Sequence, residues 1–331
     1  MHFVTHFTIA LISLLTIVFA CNLFTNAIEF LGNKLKLGNN ATGSILAVIG
    51  TGLPEFIVPF VAIFGVKYSG MEMNIASDIA LGAILGSPFM LSTLALFLLL
   101  FVLLIQKRKE IDIDVDFVLR DYKYILIAYL IAIIFSFDFL DKYKAFAPVV
   151  LLLLYVVFVY RTVVKSRCTC IECECEKIYF KFKNKNLALF IQLLVSLLGL
   201  VIASHFFVNE IKYFSLSFGV APSILALLIT PFATELPECI NSIIWTKQKK
   251  DDLALANILG AIVFQTTLLF AIGMLLTSWD INNLILLNLI LTFFSCLVFF
   301  LLVALSKKIK ASFLMFLGII YFIFLTIVLI K

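Results

Sequence analysis

The chain has 331 residues, is 63% hydrophobic and 14% charged, and carries a formal net charge of +5. A soluble domain of that length would be nearer one quarter charged and could not hide so much apolar surface. The loops leave no room for a water-soluble catalytic domain, and the basic residues are placed as a topology signal rather than as a nucleic-acid surface.

The apolar residues fall in runs of roughly 20, the length that crosses a hydrocarbon core about 30 Å thick. In chain order they predict ten spans, near 7–28, 43–64, 78–105, 122–138, 146–164, 187–209, 218–245, 253–277, 283–305 and 312–330. The first run lacks a basic leader and a small-residue cleavage site, so it reads as a resident helix rather than a signal peptide. The fourth is the weakest, because Asp138 and Asp141 crowd its end. Of the 25 Lys and Arg, 20 lie in or beside connections 1–2, 3–4, 5–6, 7–8 and 9–10, and 5 lie on the other face. The positive-inside rule makes the first face cytoplasmic. A multi-pass protein of the cell membrane with both termini extracellular is expected.

The chain also repeats itself. Leu11–Ile28 lies over Leu194–Ile211 without a gap, with identities at Ser13/Ser196, Ala20/Ala203, Phe24/Phe207 and Asn26/Asn209. The same offset of 183 sets Thr51-Gly52-Leu53-Pro54-Glu55 on Thr234-Glu235-Leu236-Pro237-Glu238. At an offset of 174, Ala80–Gly86 matches Ala254–Gly260. Apolar identities are cheap in such a chain, but two polar motifs recurring in order are not. Five spans per half is an odd number, so the second half enters the membrane upside down. The expected fold class is therefore all-α and integral to the membrane, ten transmembrane helices in two inverted five-helix repeats. Residues 1–164 hold the first repeat, 165–186 a cytoplasmic linker, and 187–331 the second repeat.

A carboxylate inside a span costs at least about 2.5 kcal/mol, yet Glu55 and Glu238 sit at equivalent places in spans 2 and 7, each after a proline. Pro54 and Pro237 donate no hydrogen bond and displace the carbonyls of Gly50 and Ala233, which are then free for a cation. Thr51 and Thr234 lie one turn before the glutamates, on the same helical face. Two carboxylates, two hydroxyls and freed carbonyls form an all-oxygen cage suited to a hard cation such as Ca²⁺ or Na⁺. The competing reading, glutamates at helix ends near an interface, is opposed by the apolar residues on both sides and by the repeated Pro-Glu. Glu235, whose counterpart is Gly52, can join the cage, carry a proton or face a vestibule. Ser87 and Gln265 in spans 3 and 8 complete the site or serve as interhelical contacts. Gly82, Gly86 and Gly260 allow close helix approach.

At these residues the chain resembles the cation/calcium exchanger superfamily, the sodium/calcium exchangers and their prokaryotic relatives. Its first family motif reads Gly50-Thr51-Gly52-Leu53-Pro54-Glu55 and Ala233-Thr234-Glu235-Leu236-Pro237-Glu238, and its second runs from Gly82 to Leu91 and from Ala256 to Gln265. The resemblance implies ten helices in two inverted repeats and a calcium site at Thr51, Glu55, Thr234 and Glu238. Gly52 and Glu235 replace a family Ser, Leu91 an Asn and Gln265 an Asp, at positions that help to form the flanking sodium and proton sites. The calcium site is thus intact and the counter-ion sites are altered.

Cys168, Cys170, Cys173 and Cys175 in the linker could gather on a soft metal such as Zn²⁺ or Cu(I), or belong to a plain charged linker. Cys21, Cys239 and Cys296 read as small hydrophobes within spans. His205 reads as a packing residue, with a place on a proton path as the alternative. No His-Glu-x-x-His pattern supports an intramembrane zinc protease, and no motif for an organic substrate is visible. The expected function is antiport of Ca²⁺ against Na⁺ or H⁺ by alternating access, with a cation channel using the same carboxylates as the alternative. No enzymatic activity, no resident cofactor, no nucleic acid and no obligatory protein partner are expected. The partners are inorganic cations and membrane lipid, the latter drawn in part to the basic segment 177–185.

Overall fold

A computed structural model describes residues 2–34, 47–66, 70–111, 113–137, 142–166, 178–180 and 184–330, and these are almost entirely helical. Helices α1 (His2–Lys34) and α2 (Ala47–Phe64) come first. Next, α3 (Met73–Met90) passes through a π-helical turn (Leu91–Ala95) into α4 (Leu96–Ile105). Then come α5 (Val115–Ile134), α6 (Phe146–Ser166), α7 (Lys185–Phe218), α8 (Pro222–Thr234) and α9 (Leu236–Lys247). Finally α10 (Asp251–Phe264) passes through a second π-helical turn (Gln265–Leu269) into α11 (Phe270–Leu276), followed by α12 (Asn283–Ser306) and α13 (Ala311–Ile330).

Among the described residues, six helical runs can cross a membrane by length and composition: α1, α3–α4, α7, α10–α11, α12 and α13. Counting α8 with α9 makes seven. Helices α2, α5 and α6 cover the other predicted spans. Asp138 and Asp141 lie outside the described residues. The ends are set by local chemistry, since the side chains of Asp114, Asn184 and Asn282 accept hydrogen bonds from the opening N–H groups of α5, α7 and α12. Each such cap contributes about 1 kcal/mol. Helix α7 ends where Gly219 turns left-handed at φ 67°, a conformation that glycine adopts without a Cβ penalty.

Packing groups the chain into two compact units, Met1–Ala83 with Val157–Pro237 and Ile84–Val156 with Glu238–Lys331. Each unit draws on both halves of the sequence. In the first, α1 and α7 lie antiparallel along one another. His6 Nδ1 is 2.8 Å from Glu210 Oε2 at one end. At the other, Gln192 Nε2 donates to the Leu23 carbonyl at 2.8 Å and to Asn26 Oδ1 at 2.9 Å. Between these ends, a Cβ on Gly199 would lie 3.5 Å from that of Ala20. The two helices have 33 and 34 residues, about 50 Å at 1.5 Å per residue, so they exceed a perpendicular crossing of the hydrocarbon. A Cβ on Gly82 would strike the Ser223 carbonyl and come within 2.8 Å of the Ala226 Cβ, so only glycine lets α3 approach α8 this closely.

In the second unit the connections sort themselves by side. Arg108 forks onto Asp251, with Nη1 at 3.2 Å from Oδ1 and Nη2 on Oδ2. Gln106 Nε2 donates to the Lys247 carbonyl at 2.7 Å, and Lys308 Nζ lies 2.9 Å from Glu110. Two short antiparallel strands, β1 (Glu110–Ile111) and β2 (Ile309–Lys310), set Glu110 opposite Lys310. Connections 3–4, 7–8 and 9–10 are thereby joined, whereas Lys144 of connection 4–5 sits 4.0 Å from Asp280 of connection 8–9. The count of Lys and Arg sorts these connections into the same two groups.

Candidate ion-binding site

The first motif copy lies within α2, whose backbone stays helical through Pro54 to Phe64. The side chains of Thr51, Leu53 and Pro54 lie outside the described residues. Glu55 is the only charged residue of α2 and is 3% exposed. Proline has no N–H, so the Gly50 carbonyl lacks its i+4 donor even though the helix continues.

The second copy is built differently. The predicted seventh span is two helices, α8 and α9, interrupted at Glu235, where φ is −93° and ψ −4°. The Glu235 N–H donates to the Pro231 carbonyl at 2.8 Å and closes α8. Pro237 explains the interruption, because it cannot donate and it restricts the residue before it. Thr234 and Glu238 therefore do not share one continuous helical face, as simple spacing suggested. Instead the Thr234 hydroxyl donates to Glu235 Oε1 at 3.2 Å. Ala233, Thr234 and Glu235 are all buried, and Glu238 is 1% exposed in the first turn of α9. An acidic group there complements the positive end of the helix dipole.

Asn257 holds Glu238 from behind. Its Nδ2 donates to the Glu238 carbonyl at 3.3 Å and to Ser242 Oγ at 3.1 Å, and Ser242 Oγ donates to the Ala254 carbonyl at 3.1 Å. These bonds tie α10 to α9 within the second unit, so Asn257 positions the motif's backbone. Ser87 and Gln265 are buried in the same unit. Gln265 opens the second π-helical turn and Leu91 opens the first, and these two residues are equivalent at the offset of 174. One backbone irregularity thus recurs at the same point of both halves, and π-turns are frequent at functional sites. The turns share their hydroxyl chemistry too. Thr93 Oγ1 donates to the Phe89 carbonyl at 2.5 Å and Thr267 Oγ1 to that of Val263 at 2.6 Å.

Within the first unit α2 packs on α8, so the helices of Glu55 and Thr234 are neighbours. Glu55, Thr234 and Glu235 belong to the first unit, and Glu238, Ser87 and Gln265 to the second. Among the described residues no three His, Cys, Asp or Glu side chains gather as a metal cluster. Oxygen ligation in such a chain draws on hydroxyls, amides and carbonyls beside its carboxylates. Sequence reasoning did not single out Thr230. It is 2% exposed, its hydroxyl has no hydrogen-bond partner among the described residues, and it lies one turn before Thr234. That i, i+4 threonine pair was its visible signal; its repeat counterpart, Ala47, offered none. Cys168, Cys170, Cys173 and Cys175 lie outside the described residues, whereas Cys21, Cys239 and Cys296 are buried.

Long apolar helices define a multi-pass membrane protein, and each of its two Pro-Glu motifs carries a buried carboxylate. The family description "Sodium/calcium exchanger protein" matches residues 5–164 and 188–330. The chain belongs to the sodium/calcium exchanger family, a family of transporters, within the cation/calcium exchanger superfamily. It is 23% identical over 277 residues to an uncharacterized membrane protein of Methanocaldococcus jannaschii, covering 82% of each chain. Among solved structures it is similar to the H⁺/Ca²⁺ exchanger CAX, with a TM-score of 0.76 at 19% identity, covering 98% of this chain and 86% of the other. It is also similar to the sodium-calcium exchanger NCX_Mj, with a TM-score of 0.62 at 19% identity and 98% of both chains covered.

Proposed function

We propose that the chain is a Ca²⁺ antiporter with ten transmembrane helices in two inverted repeats, 1–164 and 187–331 about a cytoplasmic linker. A family match that spans both repeats supports this reading, together with the deep burial of Glu55 in α2 and of Glu238 in α9. The inverted arrangement is supported by α1 and α7. Their contacts at 6/210, 20/199 and 26/192 run antiparallel about Ile17 and Leu200, two buried residues that the offset of 183 makes equivalent. A two-fold axis in the membrane plane requires that coincidence.

In this reading Glu55 and Glu238 balance the charge of one Ca²⁺. Thr51, Thr234 and the carbonyls of Gly50 and Ala233 supply neutral oxygens, and Ser87 and Gln265 complete the shell. Asn257 and the interruption at Glu235 hold the second copy in place. Outward movement of Ca²⁺ is coupled to inward movement of Na⁺ or H⁺. Solved relatives of similar fold include exchangers of each kind, so fold does not choose the counter-ion. The residues favour H⁺, because Glu235 adds a third carboxylate where Gln265 has replaced the family's Asp. Reconstitution into liposomes, with ⁴⁵Ca²⁺ uptake measured under separate Na⁺ and H⁺ gradients, tests this choice. Uptake driven by H⁺ alone supports it, and uptake driven by Na⁺ alone makes the protein a sodium-coupled exchanger. Single-channel currents in the same preparation would favour a channel instead.

A further inference from the structure

The first unit contains a cavity of about 850 Å³, open to one side, between α2 and α7. That volume is within the range of small-molecule sites, about 300–1,000 Å³. Phe56, Phe60 and Phe64 line it from α2 and Ile202, His205 and Phe206 from α7. The three phenylalanines recur every four residues and so form one stripe along the helix, with the Phe60 and Phe64 rings stacked at 5.0 Å. Of all the lining side chains only that of His205 is polar, and its Nε2 lies 3.4 Å from Asn209 Nδ2.

We propose that this groove is a binding site for an acyl chain of a membrane phospholipid. The groove continues a lipid-facing stripe of α7, where Phe190, Leu194 and Leu198 are also exposed, so its open side meets bilayer hydrocarbon. Among the described residues its walls offer no charge to neutralise an ionic ligand and a single imidazole, already engaged by Asn209, to orient a polar one. An apolar chain that fills the groove covers aromatic surface, and each Å² so covered is worth roughly 25 cal/mol. Dispersion contacts with the phenylalanine rings add to that. Phe56 adjoins Glu55, so the bound chain packs against the flank of the helix that carries the carboxylate. The proposal rests on the reading above in one respect, that α2 crosses the membrane; it does not depend on which ion is carried.

The test is native mass spectrometry of the detergent-purified full chain, joined with photo-cross-linking by a phospholipid that carries a diazirine in its acyl chain. The wild type should retain phospholipid, and cross-links should concentrate in 56–65 and 201–206. Ile202→Trp, which fills the groove from an exposed position, should lower retention at least several-fold, and Leu198→Trp, on the same helix outside the groove, should leave it unchanged. Val201→Trp provides the same test should Ile202→Trp fold poorly. Equal retention in the groove-filling variants, detergent in place of phospholipid, or cross-links spread evenly along α7 would overturn the proposal. Cross-links at 201–206 with none in α2 would overturn it through the span assignment. Ca²⁺ transport enters none of these readouts, so failure here and failure of the exchanger reading are separately visible.

Discussion

Asn257 spends both hydrogens of its side-chain amide holding α9, on the Glu238 carbonyl and on Ser242. Replacing it with Ala removes two buried hydrogen bonds, a loss of about 1–3 kcal/mol. Asn257→Ala should therefore lower the thermal midpoint of the purified protein and weaken Ca²⁺ transport without abolishing it; an unchanged midpoint would show that the amide positions nothing. Glu235 carries a different expectation. Three carboxylates facing one divalent ion leave a surplus negative charge, which a proton can neutralise. If Glu235 carries the exchanged proton, Glu235→Gln flattens the pH dependence of exchange while Ca²⁺ binding persists. A pH profile equal to the wild type would assign Glu235 to a vestibule. Glu55 and Glu238 were legible in the sequence because a charge in an apolar run is expensive and this one occurs twice. The part played by Asn257 was not legible, since its partners are 15 and 19 positions away and no local pattern names them. Thr230 had no repeated counterpart to mark it.

Among the elements, α1 and α7 form the antiparallel pair on which the inverted-repeat reading leans. At their crossing the Cβ positions of residues 20 and 199 lie 3.5 Å apart, which suits a disulfide. With Cys21 replaced by Ser, the double variant Ala20→Cys/Gly199→Cys should cross-link under mild oxidation and shift mobility on a denaturing gel. Cross-linking that fails there but succeeds after moving one cysteine by a full turn would correct the register. Gly82→Val should reduce the yield of monodisperse protein, because the added side chain meets the Ser223 backbone and not a flexible neighbour. Hydrophobic runs located these helices well, since transmembrane length and apolarity are coarse signals that survive errors of a few residues. They could not reveal the π-helical turns at Leu91–Ala95 and Gln265–Leu269. One extra residue in a helix buried on most of its surface leaves the apolar pattern unchanged. The interruption at Glu235 was hinted at by Pro237, but Pro54 sits in an equivalent motif and α2 continues through it. Proline alone does not decide the outcome.

For the whole molecule, connections 3–4, 7–8 and 9–10, which are bonded to one another in the second unit, are among those that the count of basic residues assigns to one face. The inward direction of that face is an expectation of the positive-inside rule, and it predicts that an impermeant thiol reagent applied to intact cells leaves Cys168, Cys170, Cys173 and Cys175 unlabelled until the membrane is opened. Labelling before permeabilisation would invert the topology and place both termini inside. Family membership and an exchanger fold stand apart from that orientation. In the proposed function the two repeats each lend one glutamate to a shared Ca²⁺ site, and this site is the transport site. Its most direct test is gradient-driven ⁴⁵Ca²⁺ uptake into proteoliposomes by the wild type, Glu55→Gln and Glu238→Gln, at matched protein incorporation. Losing either charge leaves a divalent ion half neutralised in a medium of low dielectric constant, so each variant should fall to the level of empty liposomes although it remains folded in the membrane. Uptake near the wild-type rate in either variant would place the transported ion elsewhere.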